Sequence, residues 1–227
     1  MRNILDRLIE LFKWPVALYM LISLPAFVQS LSYFQFTKLP YIALIAGFFM
    51  FFISRSMMDS SVRVNMEIIA HEMTHAFFAL LTFHKVKSIR VEGDNSGGAM
   101  SFEGDGNWLI IIAPYFFSLF GLFYMVAVSI YTSFAQSNLI INGIMGYFIG
   151  YHLDTVGSQI HEKQTDLPKV SYLFCALFLP SANLLMIGSM LAFNSRGWNG
   201  VWIYSKLIAY LNSKNINFAY SWLESLF

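Results

Sequence analysis

The segment Trp14–Phe36, WPVALYMLISLPAFVQSLSYFQF, contains no charged residue. A helix needs about 20 predominantly apolar residues to cross the hydrocarbon core of a bilayer. This segment is long enough and apolar enough to do so, and it therefore predicts a transmembrane helix. The fold is expected to be that of an integral membrane protein.

The composition of the whole chain supports this interpretation. Of its 227 residues, 57% are hydrophobic and 12% are charged, whereas a soluble domain typically carries about 25% charged residues. The formal net charge of +1 gives no reason to expect a nucleic-acid partner. The single cysteine, Cys175, excludes a disulfide within the chain and a metal site built from cysteines.

Further apolar segments predict an all-α, multi-pass membrane protein with about six transmembrane helices. One of them is apolar except for Asn65, Glu67 and a group of two histidines and a glutamate. The six predicted spans are Trp14–Phe36, Tyr41–Ile53, about Val64–Phe83, Trp108–Tyr131, Leu139–Tyr151 with a continuation beyond it, and Val170–Phe193.

Two terminal segments are expected to lie on the membrane surface. Residues 1–13 place their apolar side chains on one helical stripe and their charged side chains on the other, which is typical of an interfacial helix. Trp198–Leu211 is shorter than a span and carries Lys206. The chain is thus expected to form one membrane domain, 1–227. Its parts are the interfacial helix (1–13), accessory N-terminal spans (14–62), a core that carries the candidate site (63–193), and a C-terminal interfacial tail (194–227).

A short β-hairpin is predicted between the third and fourth spans. Residues Lys85–Gly106 alternate in character on either side of the turn sequence GDNSGG at 93–98. Val86, Ser88 and Arg90 are expected to share one face of the first strand. The rest of the chain gives no comparable strand signal.

The third predicted span contains His71-Glu72-Met73-Thr74-His75, which matches the HExxH pattern. Residues i and i+4 share one face of a helix, so His71 and His75 can offer two imidazole nitrogens to one Zn²⁺. Glu72 is placed to act as a general base on a water molecule and then to pass the proton to the leaving amine. Ionisable groups at membrane depth are costly, so three of them within five residues indicate a functional site.

A catalytic zinc site needs a third protein ligand and one open coordination position. No third histidine follows His75 at the spacing of the soluble HExxHxxGxxH enzymes, so the third ligand is expected far downstream. The segment Gly150–Pro168 is the only acidic cluster there. It offers Asp154, Glu162 and Asp166, together with His152 and His161.

The order of these motifs resembles the site-2 protease (M50) family of intramembrane zinc metalloproteases, and most closely its short M50B-like members. The resemblance covers about Met66–Gly188 and implies a zinc enzyme that cuts peptide bonds of membrane proteins in or beside the bilayer. The matching elements are His71-Glu72-xx-His75, Gly97-Gly98, Ala113-Pro114-Tyr115, Tyr151-His152 and Gln164-Thr165-Asp166-Leu167.

The family also implies an aspartate as the third zinc ligand. The chain lacks the Asn-Pro-Asp-Gly and Leu-Asp-Gly sequences of the best-known family pattern. Gln164-Thr165-Asp166 fits the M50B-like version better than Leu153-Asp154-Thr155 does. Asp166 is therefore the preferred third ligand and Asp154 the alternative.

Two other interpretations stay open at this point. Glu162 and Asp166 have the E-xxx-D spacing of the Ste24-like (M48) membrane proteases, in which the glutamate is the zinc ligand. Alternatively, the protein is not a protease and uses the metal site, or a relic of it, to bind, assemble or regulate a partner. The small size of the chain, without a domain for substrate selection, keeps this second alternative open.

Several other features have expected roles. An extended segment of a membrane protein or peptide substrate is expected to add as a strand beside Gly97 and Gly98, and His152 is expected to hydrogen-bond a zinc ligand from outside the metal's own coordination sphere. The small-residue pattern Gly146-xxx-Gly150 predicts close contact with the helix that carries HExxH. The lipid bilayer is the expected surrounding, and no nucleic-acid partner is expected. A partner or adaptor for substrate selection and a prokaryotic inner membrane are further expectations.

Overall fold

The computed structural model describes residues 2–34, 36, 38–91, 97–134, 138–161 and 164–225. The described chain is mainly helical and contains one antiparallel hairpin of two strands, β1 (Val86–Val91) and β2 (Gly98–Phe102). The helices are α1 (Arg2–Leu11), α2 (Lys13–Ser30), α3 (Leu39–Met57), α4 (Ser60–Leu81), α5 (Trp108–Ile112), α6 (Leu119–Thr132), α7 (Leu139–Gln159), α8 (Asp166–Val170) and α9 (Tyr172–Glu224). Two short 3₁₀ helices lie at Leu31–Tyr33 and Ala113–Tyr115.

The apolar helices make this chain an integral membrane protein. By length and composition, α2, α3 and α9 can cross a membrane, and α5 with α6 provides a fourth crossing if this bent pair is one span. Among the described helices, α4 and α7 do not meet this criterion of length and apolar composition. The predicted number of six spans is therefore not confirmed by length and composition alone.

The predicted span Trp108–Tyr131 is not one straight helix, and this corrects the sequence analysis. The chain bends by 80° between the segment Trp108–Tyr115 and α6. Pro114 stands in the first turn of the 3₁₀ helix that follows α5, where its missing N–H costs no helical hydrogen bond. The break leaves α5 as a helix of five residues whose position depends on its neighbours.

The C-terminal segment differs from its prediction in length and in packing. Helical structure continues to Glu224, but it is interrupted at Arg196 and at Gly197, whose φ of 59° favours glycine. The two halves of α9 then run antiparallel, because the backbone of Gly188 lies against the Tyr204 ring and that of Gly200 lies against the Ala192 carbonyl. The expected short interfacial helix Trp198–Leu211 is therefore part of a longer helix that packs into the bundle.

Helix α7 packs along α3, which corrects the expected contact with the HExxH helix. A Cβ atom added to Gly146 would lie 1.8 Å from the Leu44 carbonyl oxygen, and one added to Gly47 would lie 1.7 Å from the Gly143 carbonyl oxygen. Both distances are far below van der Waals contact, so the two backbones can approach this closely only with glycine at these positions. The small-residue pattern predicted a close helix contact, but not which helix would provide it.

Replacing Gly146 by alanine is expected to lower the thermal midpoint of unfolding in detergent, because the new methyl group collides with α3 backbone. Overpacking of this kind costs about 1–3 kcal/mol or more. Gly143→Ala is the matched control on the same helix, since its added Cβ would lie 3.5 Å from the nearest atom, the Ala43 carbonyl oxygen. Equal thermal midpoints for the two variants would contradict the α3–α7 contact.

The hairpin prediction is confirmed for the strands that the structure describes. Ser88 pairs with Ser101 and Arg90 pairs with Ala99, and the register shifts between Val86 and Ser88. This irregularity interrupts the expected alternation of side chains along β1. The turn residues 92–96 lie outside the described residues. Both strands pack against α4, so the hairpin lies beside the helix that carries HExxH.

Candidate metal centre

Three ligand atoms from two distant parts of the chain meet beside α4. His71 and His75 lie one turn apart on the same face of α4, and Asp166 is the first residue of α8. The His71 Nε2 atom lies 3.0 Å from His75 Nε2 and 3.4 Å from Asp166 Oδ2. His75 Nε2 lies 3.3 Å from the same carboxylate oxygen. The structure thus brings these three residues, and Asp166 in particular, to one point.

These three separations fit a tetrahedral zinc ion. Zn–N and Zn–O bonds of about 2.0–2.1 Å at tetrahedral angles separate neighbouring ligand atoms by about 3.3 Å. Two imidazoles and one carboxylate also form a donor set of the kind found in catalytic zinc sites, which leave a fourth position open. Geometry and chemistry therefore both fit zinc at His71, His75 and Asp166.

The far nitrogen of each imidazole has a hydrogen-bond partner. His75 Nδ1 lies 2.7 Å from the Ile110 carbonyl oxygen of α5, and His71 Nδ1 lies 2.9 Å from Gln159 Oε1 at the end of α7. Both partners are acceptors, so each Nδ1 donates its proton. The Nε2 atoms are then left unprotonated and turned toward the metal position, in the tautomer that a zinc ligand requires.

The Asp166 carboxylate is held by two further side chains. Lys169 Nζ lies 3.0 Å from Oδ1, and the Tyr115 hydroxyl lies 3.3 Å from Oδ2 and donates to it. Burial favours the neutral acid and would raise the pKa of the Asp166 carboxyl, but the neighbouring His71 and His75 side chains and the hydrogen bond from Lys169 lower this pKa below its usual value. Asp166 is therefore ionised, as metal coordination requires.

Three of these supporting residues were missed by the sequence analysis as functional positions. Tyr115 was quoted only as part of the Ala-Pro-Tyr element, and Lys169 lies one helical turn after Asp166, where a cation beside a carboxylate is unremarkable. Gln159 is 88 positions from His71 and carried no signal in the sequence. Its role follows only from the packing of the last turn of α7 beside α4.

Glu72 lies in a cavity of about 680 Å³ that also contains the three ligand residues. Its side chain is buried against β2: a Cβ atom added to Gly98 would lie 2.9 Å from Glu72 Cγ and 2.5 Å from Ile68 Cγ2. Only glycine at position 98 lets the strand come so near the helix. Gly97 and Gly98 both line the cavity, and the backbone of Met100 interacts with the Glu72 carboxyl group.

Of the other candidates that the structure describes, none joins the three ligand atoms. Asp154 is on the face of α7 that turns toward α3, and it forms an ion pair with Arg55, so it does not reach the two histidines. Glu162, the ligand of the Ste24-like alternative, lies outside the described residues. His161 lines the cavity.

Among the described contacts, His152 makes no hydrogen bond to His71, His75 or Asp166. It is buried on α7 beside Asn183, and its Nε2 atom has no hydrogen-bond partner in the described part of the chain. Gln159, seven residues further along α7, binds His71 instead. Seven residues are about two helical turns, so His152 and Gln159 lie on the same face of α7 but two turns apart along its axis.

One of the comparisons with known proteins gives a match, and it covers part of this site. Residues 41–149 match the model of the family described as Peptidase M50B-like. The matched segment runs from α3 to the middle of α7 and contains His71, Glu72, His75 and the hairpin, but it ends before Asp166. No curated protein and no solved structure matches the chain.

Proposed function

We infer a proteolytic function from the match of residues 41–149 to the Peptidase M50B-like family, within the site-2 protease (M50) group. We propose a membrane-embedded zinc metalloprotease that hydrolyses peptide bonds of membrane proteins in or beside the bilayer. The observation that carries the proposal is the set of three ligand atoms from His71, His75 and Asp166 at tetrahedral separations. Glu72 lies in the same cavity and supplies the base.

The chemistry divides between the metal and the side chains. When bound, zinc supplies a Lewis acid that polarises a carbonyl group and makes a water molecule more acidic. His71, His75 and Asp166 would hold it. Glu72 accepts a proton from the attacking water, holds this proton on its carboxylate, and delivers it to the nitrogen of the leaving amine. The cavity wall formed by β2 limits the directions from which a peptide can approach Glu72.

The substrate is proposed to bind as an extended strand beside β2. A helical segment has its amides already hydrogen-bonded, so a protease that acts on membrane spans needs a site that holds an unwound segment. In the described hairpin β2 pairs with β1 along one edge only. Gly98 and Met100 of β2 line the cavity, as does Gly97 directly before it. Main-chain hydrogen bonds to this edge would present a scissile peptide to Glu72.

The membrane arrangement is proposed to include six crossings, provided by α2, α3, the bent α5–α6 pair, α7 and the two halves of α9. Helix α7 follows α3 from the Gly47–Gly143 contact to the Arg55–Asp154 ion pair. It therefore covers the same depth as α3, although its composition is less apolar. The fold-back at Gly197 gives α9 two crossings instead of one.

Helix α4 has no crossing in this arrangement. It starts directly after α3 ends, and the residue His84 beyond its last turn lies 3.2 Å from Asp6, in the helix before α2. If α2 and α3 are consecutive crossings, the start of α2 and the end of α3 lie at the same membrane surface, and so do both ends of α4. The candidate metal centre is thus proposed to lie near one membrane surface.

We also propose that the protein lies in a prokaryotic inner membrane and that an adaptor selects its substrates. Cell fractionation would test the first proposal and co-purification the second.

Removal of zinc is the experiment that tests the function. The purified protein in detergent is incubated with a panel of single-span membrane proteins, with and without 1,10-phenanthroline. We expect fragments whose formation stops with the chelator and returns when Zn²⁺, but not Mg²⁺, is restored. Cleavage that is indifferent to the chelator would exclude the zinc mechanism. No cleavage by zinc-loaded protein across the panel would favour the non-proteolytic alternative.

A further inference from the structure

We propose that Asp6 and Glu10 of α1 are positioning residues for the zinc ligand His75, and this inference rests on the proposed zinc site. Helix α1 lies outside the segment that matches the family model. Its amphipathic pattern predicts an interfacial anchor, yet its acidic side chains bind protein groups. These groups belong to α5, the helix whose carbonyl orients His75.

Glu10 binds the first residue of α5. Its Oε1 atom accepts a hydrogen bond of 3.0 Å from the backbone N–H of Trp108. The Trp108 ring in turn donates from Nε1 to the Ile9 carbonyl oxygen at 2.7 Å. The first N–H groups of a helix have no partner within the helix, so a carboxylate at this position satisfies one of them and interacts favourably with the positive end of the helix dipole.

Asp6 acts on the same end of α5 through Asn107. Its Oδ1 atom accepts a hydrogen bond of 2.7 Å from Asn107 Nδ2. The Asn107 side-chain oxygen then accepts the backbone N–H of Ile110 at 3.2 Å, which makes it the N-cap of α5. Asn107 is buried, so its amide orientation depends on Asp6.

The carbonyl group of Ile110 connects α5 to the metal centre. The carbonyl oxygen of Ile110 accepts the hydrogen bond from His75 Nδ1 at 2.7 Å, and this bond fixes the ring that offers Nε2 to the metal. Helix α5 has only five residues, too few to be stable by itself, so external contacts determine where the Ile110 carbonyl points. The far end of α5 leads into the 3₁₀ helix that carries Tyr115, the donor to Asp166.

Asp6 also connects α5 to the helix that carries His75 itself. Its Oδ2 atom lies 3.2 Å from Nε2 of His84, just beyond the end of α4. The His84 side chain is fully buried, and its Nδ1 lies 3.0 Å from the Thr82 hydroxyl. One carboxylate therefore contacts the end of α4 and binds the cap of α5, which are the two elements on either side of the His75–Ile110 hydrogen bond.

The test measures metal binding by the full-length protein and does not require protease activity. Glu10→Ala and Asp6→Ala are each expected to weaken zinc affinity about tenfold, the lower end of the range for groups that act on a ligand from outside the coordination sphere. Glu10→Gln keeps an acceptor oxygen for the Trp108 N–H and should bind zinc as wild type does. Arg7→Ala is the control, because Arg7 is exposed on the same helix.

The Co²⁺ absorption spectrum reports on the geometry of the ligands. The two alanine variants should change the visible bands of bound Co²⁺, while Glu10→Gln and Arg7→Ala should not. If either alanine variant does not fold, Asp6→Asn removes the charge with little change of shape and is expected to show a weaker form of the same effect. Wild-type zinc affinity and Co²⁺ spectra in all variants would overturn the inference and leave α1 as an anchor only. A wild-type protein that binds no zinc would instead overturn the proposed function.

Discussion

Replacing Glu72 by glutamine is expected to abolish peptide-bond cleavage while zinc remains bound. Glutamine has almost the same shape and fits the same space against Gly98, but its amide cannot take a proton from water. A positioned general acid–base group contributes about 10²–10⁴-fold to the rate, so the cleavage rate should fall by at least about 10²-fold. The ligands are His71, His75 and Asp166, so the zinc content should not change.

The measurement is the initial cleavage rate together with zinc per chain in the same sample. Glu67→Gln is a matched control on the same helix, since Glu67 accepts a hydrogen bond from Ser158 at 3.3 Å and does not bind a ligand residue. We expect it to cleave at a rate close to that of wild type. A Glu72→Gln variant that cleaves equally fast would show that another group is the base.

Replacing Asp166 by alanine is expected to remove zinc from the site. The remaining two histidines cannot satisfy a catalytic zinc, which uses three protein ligands. Zinc affinity should fall by more than about 100-fold, the upper limit for groups that only support a ligand. A competition titration with a zinc-binding dye measures this change directly.

The contrasting variant is Asp154→Ala, at the other aspartate that the sequence offers. Asp154 pairs with Arg55, so its loss leaves a half-buried arginine without its partner. The expected result is a lower thermal midpoint with unchanged zinc affinity. The reverse pattern, in which Asp154→Ala loses zinc and Asp166→Ala keeps it, would contradict the assignment of the third ligand.

The part of the site that can be predicted from sequence is the part that a single helix provides. His71, Glu72 and His75 are separated by fixed helical steps, so their spacing is enough to place two imidazoles on one face. Asp166 reaches the site by tertiary packing, and only the family resemblance favoured it over Asp154. Gln159 and the two groups beside Asp166 support the ligands across helix contacts that no local pattern encodes.

The fold shows the same division. Runs of apolar residues predict where helices lie, but they do not give the path of the chain between them. The 80° bend before α6 and the fold-back at Gly197 both occur inside apolar sequence. Pro114 and Gly197 are visible in the sequence, but proline and glycine are also tolerated in straight membrane helices, so neither alone predicts a break. The small-residue pattern on α7 likewise predicts a contact without its partner.

We propose above all that His71 and His75 of α4 and Asp166, the first residue of α8, form one zinc site. X-ray absorption at the zinc edge of the purified protein tests it most directly. We expect one zinc per chain, with only nitrogen and oxygen neighbours at about 2.0–2.1 Å and scattering from two imidazole rings. Protein without zinc, or zinc with a sulfur neighbour at about 2.3 Å, would contradict the site.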